Sequence, residues 1–208
     1  MKNGFIALLM LLSMVGFCQN FEGEIVYTNA YKSKSVMASD EQITSMMGSK
    51  QTYFMKGAEY KTVMNGKLIE WQLYVSKDNK IYNKMSSSET VYWNDASKND
   101  DVVLKSELHK EVTTILGYKC DELVLTCKSG TQKYYFNSKL AIDAKLFVNH
   151  KFGNWYDYVQ KANAVPLKMV IDTEQFSMES VATEIKPGKL DDKVFTLAPG
   201  TKTEKSPY

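Results

Sequence analysis

Leu68-Ile69-Glu70-Trp71-Gln72-Leu73-Tyr74-Val75-Ser76 decides the fold class. Apolar side chains recur at every second position. Ile69, Trp71, Leu73 and Val75 therefore share one face of an extended segment, with Glu70 and Gln72 on the other. Burial of Trp71 and Leu73 is the expectation, with Trp71→Ala costing about 3–5 kcal/mol. Turn signals bound the stretch. Asn65-Gly66 before it is compatible with a type I′ hairpin, and Lys77-Asp78-Asn79-Lys80 after it turns the chain back.

Working outward, the same reading extends in both directions. Residues 22–31, 51–56, 59–64, 81–85, 90–93, 104–114, 118–128, 133–136, 167–171 and 176–185 read as further strands separated by turn-forming residues. Two segments change period. Ser39 and Gln42 stand at capping-box spacing ahead of Ile43, Met46 and Met47, with Gly48 as a stop. In residues 154–164, Trp155, Tyr158, Val159 and Ala162 form one helical stripe, with Pro166 beyond. Residues 139–150 fit an extended connection or a short helix, and residues 202–205 read as a frayed, solvated tail. The fold class is mainly β with a few helices: a curved antiparallel sheet, or half-open β-barrel, with helices across its concave face. Residues 19–208 make a single half-barrel domain.

The chain has 208 residues and a formal charge of +2, and all of its 26 basic residues are lysine. Bidentate arginine contacts, on which base and phosphate recognition lean, are therefore unavailable, and nucleic acid is not the expected partner. Residues 1–18 read as a signal peptide: a lysine, an apolar run from Phe5 to Phe17, then small residues before a cut at Gln19. The apolar run is shorter than the roughly 20 residues of a membrane-spanning helix, and no other stretch approaches that length. An exported, periplasmic or extracellular protein is expected. Anchoring through a lipidated Cys18 is the alternative. Cys120 and Cys127 lie on one strand, seven residues apart, which places them on opposite faces and some 20 Å apart. They are expected to be unpaired thiols.

Chemistry-bearing patterns are sparse. His109 and His150 have no ligand partners at zinc spacing. Residues 95–107 lack the central glycine and closing glutamate of a calcium loop. No phosphate loop, nucleophile elbow or zinc helix is present, and Cys120 has no base beside it in sequence. The sequence thus points to no catalytic residue, no metal and no cofactor. Aromatic pairs, Trp71/Tyr74, Tyr92/Trp93 and Trp155/Tyr156, place rings on both faces of their elements.

Four motifs occur in order: Phe21-Glu22-Gly23-Glu24-Ile25-Val26-Tyr27, Ile115-Leu116-Gly117-Tyr118-Lys119-Cys120, Val165-Pro166-Leu167-Lys168 and Leu190-Asp191-Asp192-Lys193-Val194-Phe195. Together they resemble an uncharacterised family of exported bacterial proteins related to the LolA/LolB-like outer-membrane lipoprotein carriers. The resemblance implies a half-open antiparallel barrel closed by helices around an apolar cavity, which in the carriers takes acyl chains. The expected function is non-enzymatic binding of a lipid or other hydrophobic ligand in the cell envelope. Ile69, Trp71, Leu73, Trp155, Tyr158 and Val159 are the candidate ligand-binding residues, the helix stripe facing the same interior as Ile69 and Trp71. An envelope scaffold with a filled core and a hydrolase of envelope material are the alternatives.

Overall fold

The computed structural model describes residues 20–207. The leader reading of residues 1–18, with Cys18 and the cut before Gln19, lies outside them. Strand β1 (Gly23–Ser33) and helix α1 (Asp40–Met47) come first, then β2 (Lys50–Lys56), β3 (Glu59–Met64), β4 (Ile69–Val75), β5 (Lys80–Met85) and β6 (Val91–Asp95). The second run is β7 (Val103–Ile115), β8 (Tyr118–Cys127), β9 (Gly130–Ala141), helix α2 (Trp155–Ala162), β10 (Ala164–Thr173), β11 (Phe176–Pro187) and β12 (Thr203–Lys205). All strands join one sheet in the order β12-β6-β5-β4-β3-β2-β1-β11-β10-β9-β8-β7. Two meanders of short hairpins are thus stitched together where β1 pairs antiparallel with β11. The small strand β12 lies parallel to β6.

Connectivity forces the sheet to curl. Strands β6 and β7 stand ten steps apart in the sheet order, about 48 Å if the sheet were flat. Yet only residues 96–102 connect them, a reach of about 29 Å even when fully extended. The edges must come together, and the 96–102 segment becomes a strap across the mouth of an open half-barrel.

The two faces carry different cores. On the concave face Tyr60, Tyr74 and Ile81 of the first meander join Leu123, Leu125, Tyr134 and Phe136 of the second around α2. On the convex face Leu73, Tyr82 and Val91 pack under Phe195, with Phe54, Trp71 and Leu190 around them. The segment bearing Phe195 is tied down by Lys56, whose Nζ reaches the Asp192 carboxylate at 2.7 Å and the Leu190 carbonyl at 2.8 Å. Burying a side chain the size of Phe195 contributes about 1.5–3 kcal/mol.

Several expectations change in detail. Helix α1 forms with the expected reciprocal Ser39–Gln42 capping box, but none of its residues is buried, and it packs on β1. Asn65-Gly66 is not a type I′ turn, since neither residue has the positive φ such a turn requires. Instead the connection fastens to the end of α1, Lys67 and Leu68 donating to the Ser45 and Met46 carbonyls at 3.0 and 2.9 Å. Those carbonyls lack partners within the helix. Gly66 lies so close to the Met46–Gly48 backbone that a Cβ there would come 2.6 Å from the Gly48 nitrogen. Cys120 and Cys127 both face the concave core, contrary to the opposite-face expectation. The alternation of β8 slips between Cys120 and Leu123, where Asp121 and Glu122 are both half-buried, opposite the irregular stretch of β7 between His109 and Thr113. The two cysteines remain unpaired thiols. Residues 203–205 form β12 where a frayed tail was expected. The ambiguous 139–150 segment continues β9 to Ala141 and then makes a 3-10 turn over Ala144–Phe147.

Candidate functional site

Helix α2 divides the concave basin. Its stripe Trp155, Tyr158, Val159 and Ala162 follows helical spacing, and Asn163 in left-handed conformation ends it. Tyr158 and Val159 are fully buried. The Tyr158 ring stacks on Tyr134 at 4.2 Å, and its hydroxyl donates to the Ala164 carbonyl at 2.8 Å. Towards the first meander, Trp155 meets Tyr60 at 6.0 Å, and Tyr60 stacks between Tyr53 and Tyr74 at 5.5 and 5.3 Å. The Tyr60 hydroxyl lies 2.8 Å from Nε2 of the buried His150. Burial pushes the His150 imidazole down to about 4, pushes the Tyr74 phenol up to about 12, and raises Tyr60 and Tyr158 further. The space expected beneath this helix is therefore occupied by the protein's own rings.

The other half of the basin stays open. A cleft of about 1070 Å³ lies between β4–β6 and the strap. Three carboxamides from adjacent strands line it: Gln72 donates from Nε2 to Asn83 Oδ1 at 2.9 Å, and Asn83 donates from Nδ2 to Asn94 Oδ1 at 3.1 Å. Ile69, Met85, Tyr92 and Phe152 add apolar surface. The strap is fixed at both ends. The Ala96 carbonyl accepts from the Lys151 and Phe152 amides at 2.7 and 3.0 Å. Asn99 donates to Asn154 Oδ1 at 2.6 Å, and the fully buried Asn154 donates to Asp101 Oδ2 at 3.2 Å. Gly153 and Asn154 are both left-handed, at φ 64° and 62°, which swings the chain from the cleft rim into α2. Glycine and asparagine are the residues that tolerate this conformation.

Electrostatically the cleft is mixed, with Lys98 and Lys205 set against Asp95, Asp100 and Asp101. Hydrogen bonds from the Ser97 hydroxyl and amide hold the Asp95 carboxyl below the usual range. Partial burial would raise Asp101, but donors from Ser129, Val102 and Asn154 outweigh it and the carboxyl is lowered. Burial raises both thiols, Cys127 to about 11 with the Asp101 charge adding to the effect.

Of the six candidate residues read from sequence, only Ile69 lines the cleft. A bulge between Ile69 and Trp71 shifts the β4–β5 register, so Ile69 pairs with Met85 and turns to the concave side with Gln72 and Tyr74. Leu73, 1% exposed, and the half-buried Trp71 belong to the convex cluster, where Lys61 Nζ sits 5.1 Å from the Trp71 ring. Trp155, Tyr158 and Val159 lie on the opposite side of the sheet from them, inside the aromatic packing. The α2 stripe and the β4 apolar face therefore share no interior. Gln72, Asn83, Asn94, Met85, Tyr92 and Phe152 were missed. A polar residue on the alternate face of each strand reads as solvent-facing unless the strand order is known.

No family model matches the chain, and no curated protein is significantly similar in sequence. Among solved structures, PNGF-II superposes with a TM-score of 0.50 at 14% identity, over 89% of this chain and 32% of that one. The chain spans about a third of the PNGF-II chain, and at this identity the likeness is one of fold. An uncharacterized conserved protein from Thermus thermophilus gives 0.45 at 9% identity, covering 89% and 91% of the two chains. A LolA superfamily protein from Nitrosomonas europaea gives 0.40 at 11%, covering 86% and 91%.

Proposed function

We propose that this is a non-catalytic binding protein of the cell envelope that holds a lipid or similar hydrophobic chain in the cleft between β4–β6 and the strap. The observation that carries the reading is the cleft itself: about 1070 Å³, with Ile69, Met85, Tyr92 and Phe152 offering apolar surface. Phe152, 41% exposed, puts an accessible ring at the mouth. Binding is favoured over catalysis because the thiol and imidazole are withdrawn from the cleft: burial makes Cys127 a poor nucleophile, and His150 is engaged with Tyr60. Envelope location follows from the leader reading, and the four-motif resemblance to lipoprotein carriers points the same way.

Solvent extraction of the purified protein followed by lipid mass spectrometry should recover a bound amphiphile. Titration with alkyl compounds of increasing length should tighten binding about fourfold per methylene, the equivalent of about 0.8 kcal/mol. Affinity that does not change with chain length overturns the proposal. Met85→Asp should abolish the dependence.

A further inference from the structure

We infer that the Gln72–Asn83–Asn94 relay selects a neutral, hydroxylated polar group, as on a sugar, in whatever the cleft binds; this rests on the cleft being the binding site proposed above. Hydrogen bonds run one way through the relay, from Gln72 to Asn83 and from Asn83 to Asn94. Each carboxamide is thereby held in a fixed orientation instead of rotating freely. The Gln72 carbonyl oxygen takes no hydrogen bond among the described residues, and Gln72 lines the cleft. A carboxamide offers donors and an acceptor together. A sugar hydroxyl, which also donates and accepts, can satisfy both. A carboxylate or phosphate can only accept, and a quaternary ammonium can do neither.

Charge supports the same selection. Three aspartates against two lysines leave the lining slightly negative, which disfavours an anionic group. Asp101 accepts through both oxygens, from Val102, Ser129 and Asn154, and the Asp95 charge is already met by Lys98 and Lys205. They are poorly placed to pair with a cation. Tyr92 is the register partner of Asn83 on the adjacent strand, so a ring stands beside the relay. Rings beside amides suit a pyranose, whose C–H face is apolar and whose rim is hydroxylated.

The test holds the alkyl chain constant and varies the polar group. Dodecyl maltoside, dodecanoate and dodecyltrimethylammonium, each below its micellar concentration, are titrated calorimetrically into the purified protein, with maltotriose as the chain-free probe. Dodecyl maltoside is expected to bind about tenfold more tightly than either charged compound. Asn83→Leu, close in size, should erase that preference while leaving dodecanoate affinity within about twofold. Gln72→Met gives the same readout should Asn83→Leu fold poorly. Equal binding of the three dodecyl compounds, or a preference that survives both substitutions, overturns the inference and leaves the alkyl-chain reading standing. Maltotriose binding as tightly as dodecyl maltoside supports the inference and overturns the alkyl-chain reading. Binding by none of the four overturns both.

Discussion

His150 makes the stability of the fold depend on pH in a narrow, predictable window. The imidazole is 1% exposed, stacked among Tyr60, Tyr74 and Trp155, with Nε2 against the Tyr60 hydroxyl. Burial lowers its pKa from 6.5 to about 4. A histidine lowered in the folded state is protonated first in the unfolded chain, so acid favours unfolding. The penalty is absent well above pH 6.5, grows as the pH falls through 6.5, and saturates below about 4. At about 1.4 kcal/mol per pH unit of separation, the full loss is about 3 kcal/mol, of which about 2 kcal/mol is already present at pH 5. Most carboxylates are still ionised there. Urea unfolding at half-unit steps from pH 7.5 to 4.5 measures it. His150→Gln, which can still meet the Tyr60 hydroxyl, should flatten the curve between pH 6.5 and 5. The reasoning is refuted if wild type loses less than about 0.5 kcal/mol over that interval, or if His150→Gln loses as much as wild type.

Three further outcomes follow from the geometry. Leu73→Ala should cost about 2–5 kcal/mol because Leu73 is buried under Phe195, whereas the half-buried Trp71→Ala should cost less than the 3–5 kcal/mol of a core ring; chemical denaturation of both variants ranks them. Gly66→Ala should destabilise by about 2–3 kcal/mol, since its Cβ meets rigid backbone at Met46–Gly48; an unchanged denaturation midpoint would contradict this. Cys120 and Cys127 should resist a thiol reagent at pH 8 in the native protein and react once urea unfolds it, read by peptide mapping; rapid native labelling of either would show the burial to be wrong.

Much of the architecture was readable because alternation and turn residues are local. The strand at 59–64 and the Ser39–Gln42 capping box emerge as read, and the stripe of α2 is buried on its expected side. What escaped is set by neighbours far away in sequence. A bulge is defined by the register of two strands, so nothing in Leu68–Ser76 alone signals that Ile69 turns away from Trp71. The same holds for Cys120, whose orientation reflects a slip in the alternation of β8 opposite an irregular stretch of β7. Gln72, Asn83 and Asn94 become a relay only because β4, β5 and β6 are adjacent. Strand β12 was unreadable for a different reason. Three polar, exposed residues carry no hydrophobic pattern, and pairing with the edge of β6 supplies the order that their composition lacks.

The position of β1 at the middle of the sheet has a consequence for how the chain is made. Its first partner, β2, follows within a few tens of residues, but its second, β11, is synthesised only some 150 residues later. Until then one edge of β1, carrying the fully buried Ile25 and Tyr27 of the finished protein, stands unpaired. Such an edge is a template for association between nascent chains. The β2–β6 and β7–β10 hairpins can form locally, whereas the seam between β1 and β11 closes a loop of some 150 residues and sets the pace of the final step. Chains cut short before residue 176 should therefore accumulate as aggregates joined through β1, while a chain that includes β11 seals that edge itself.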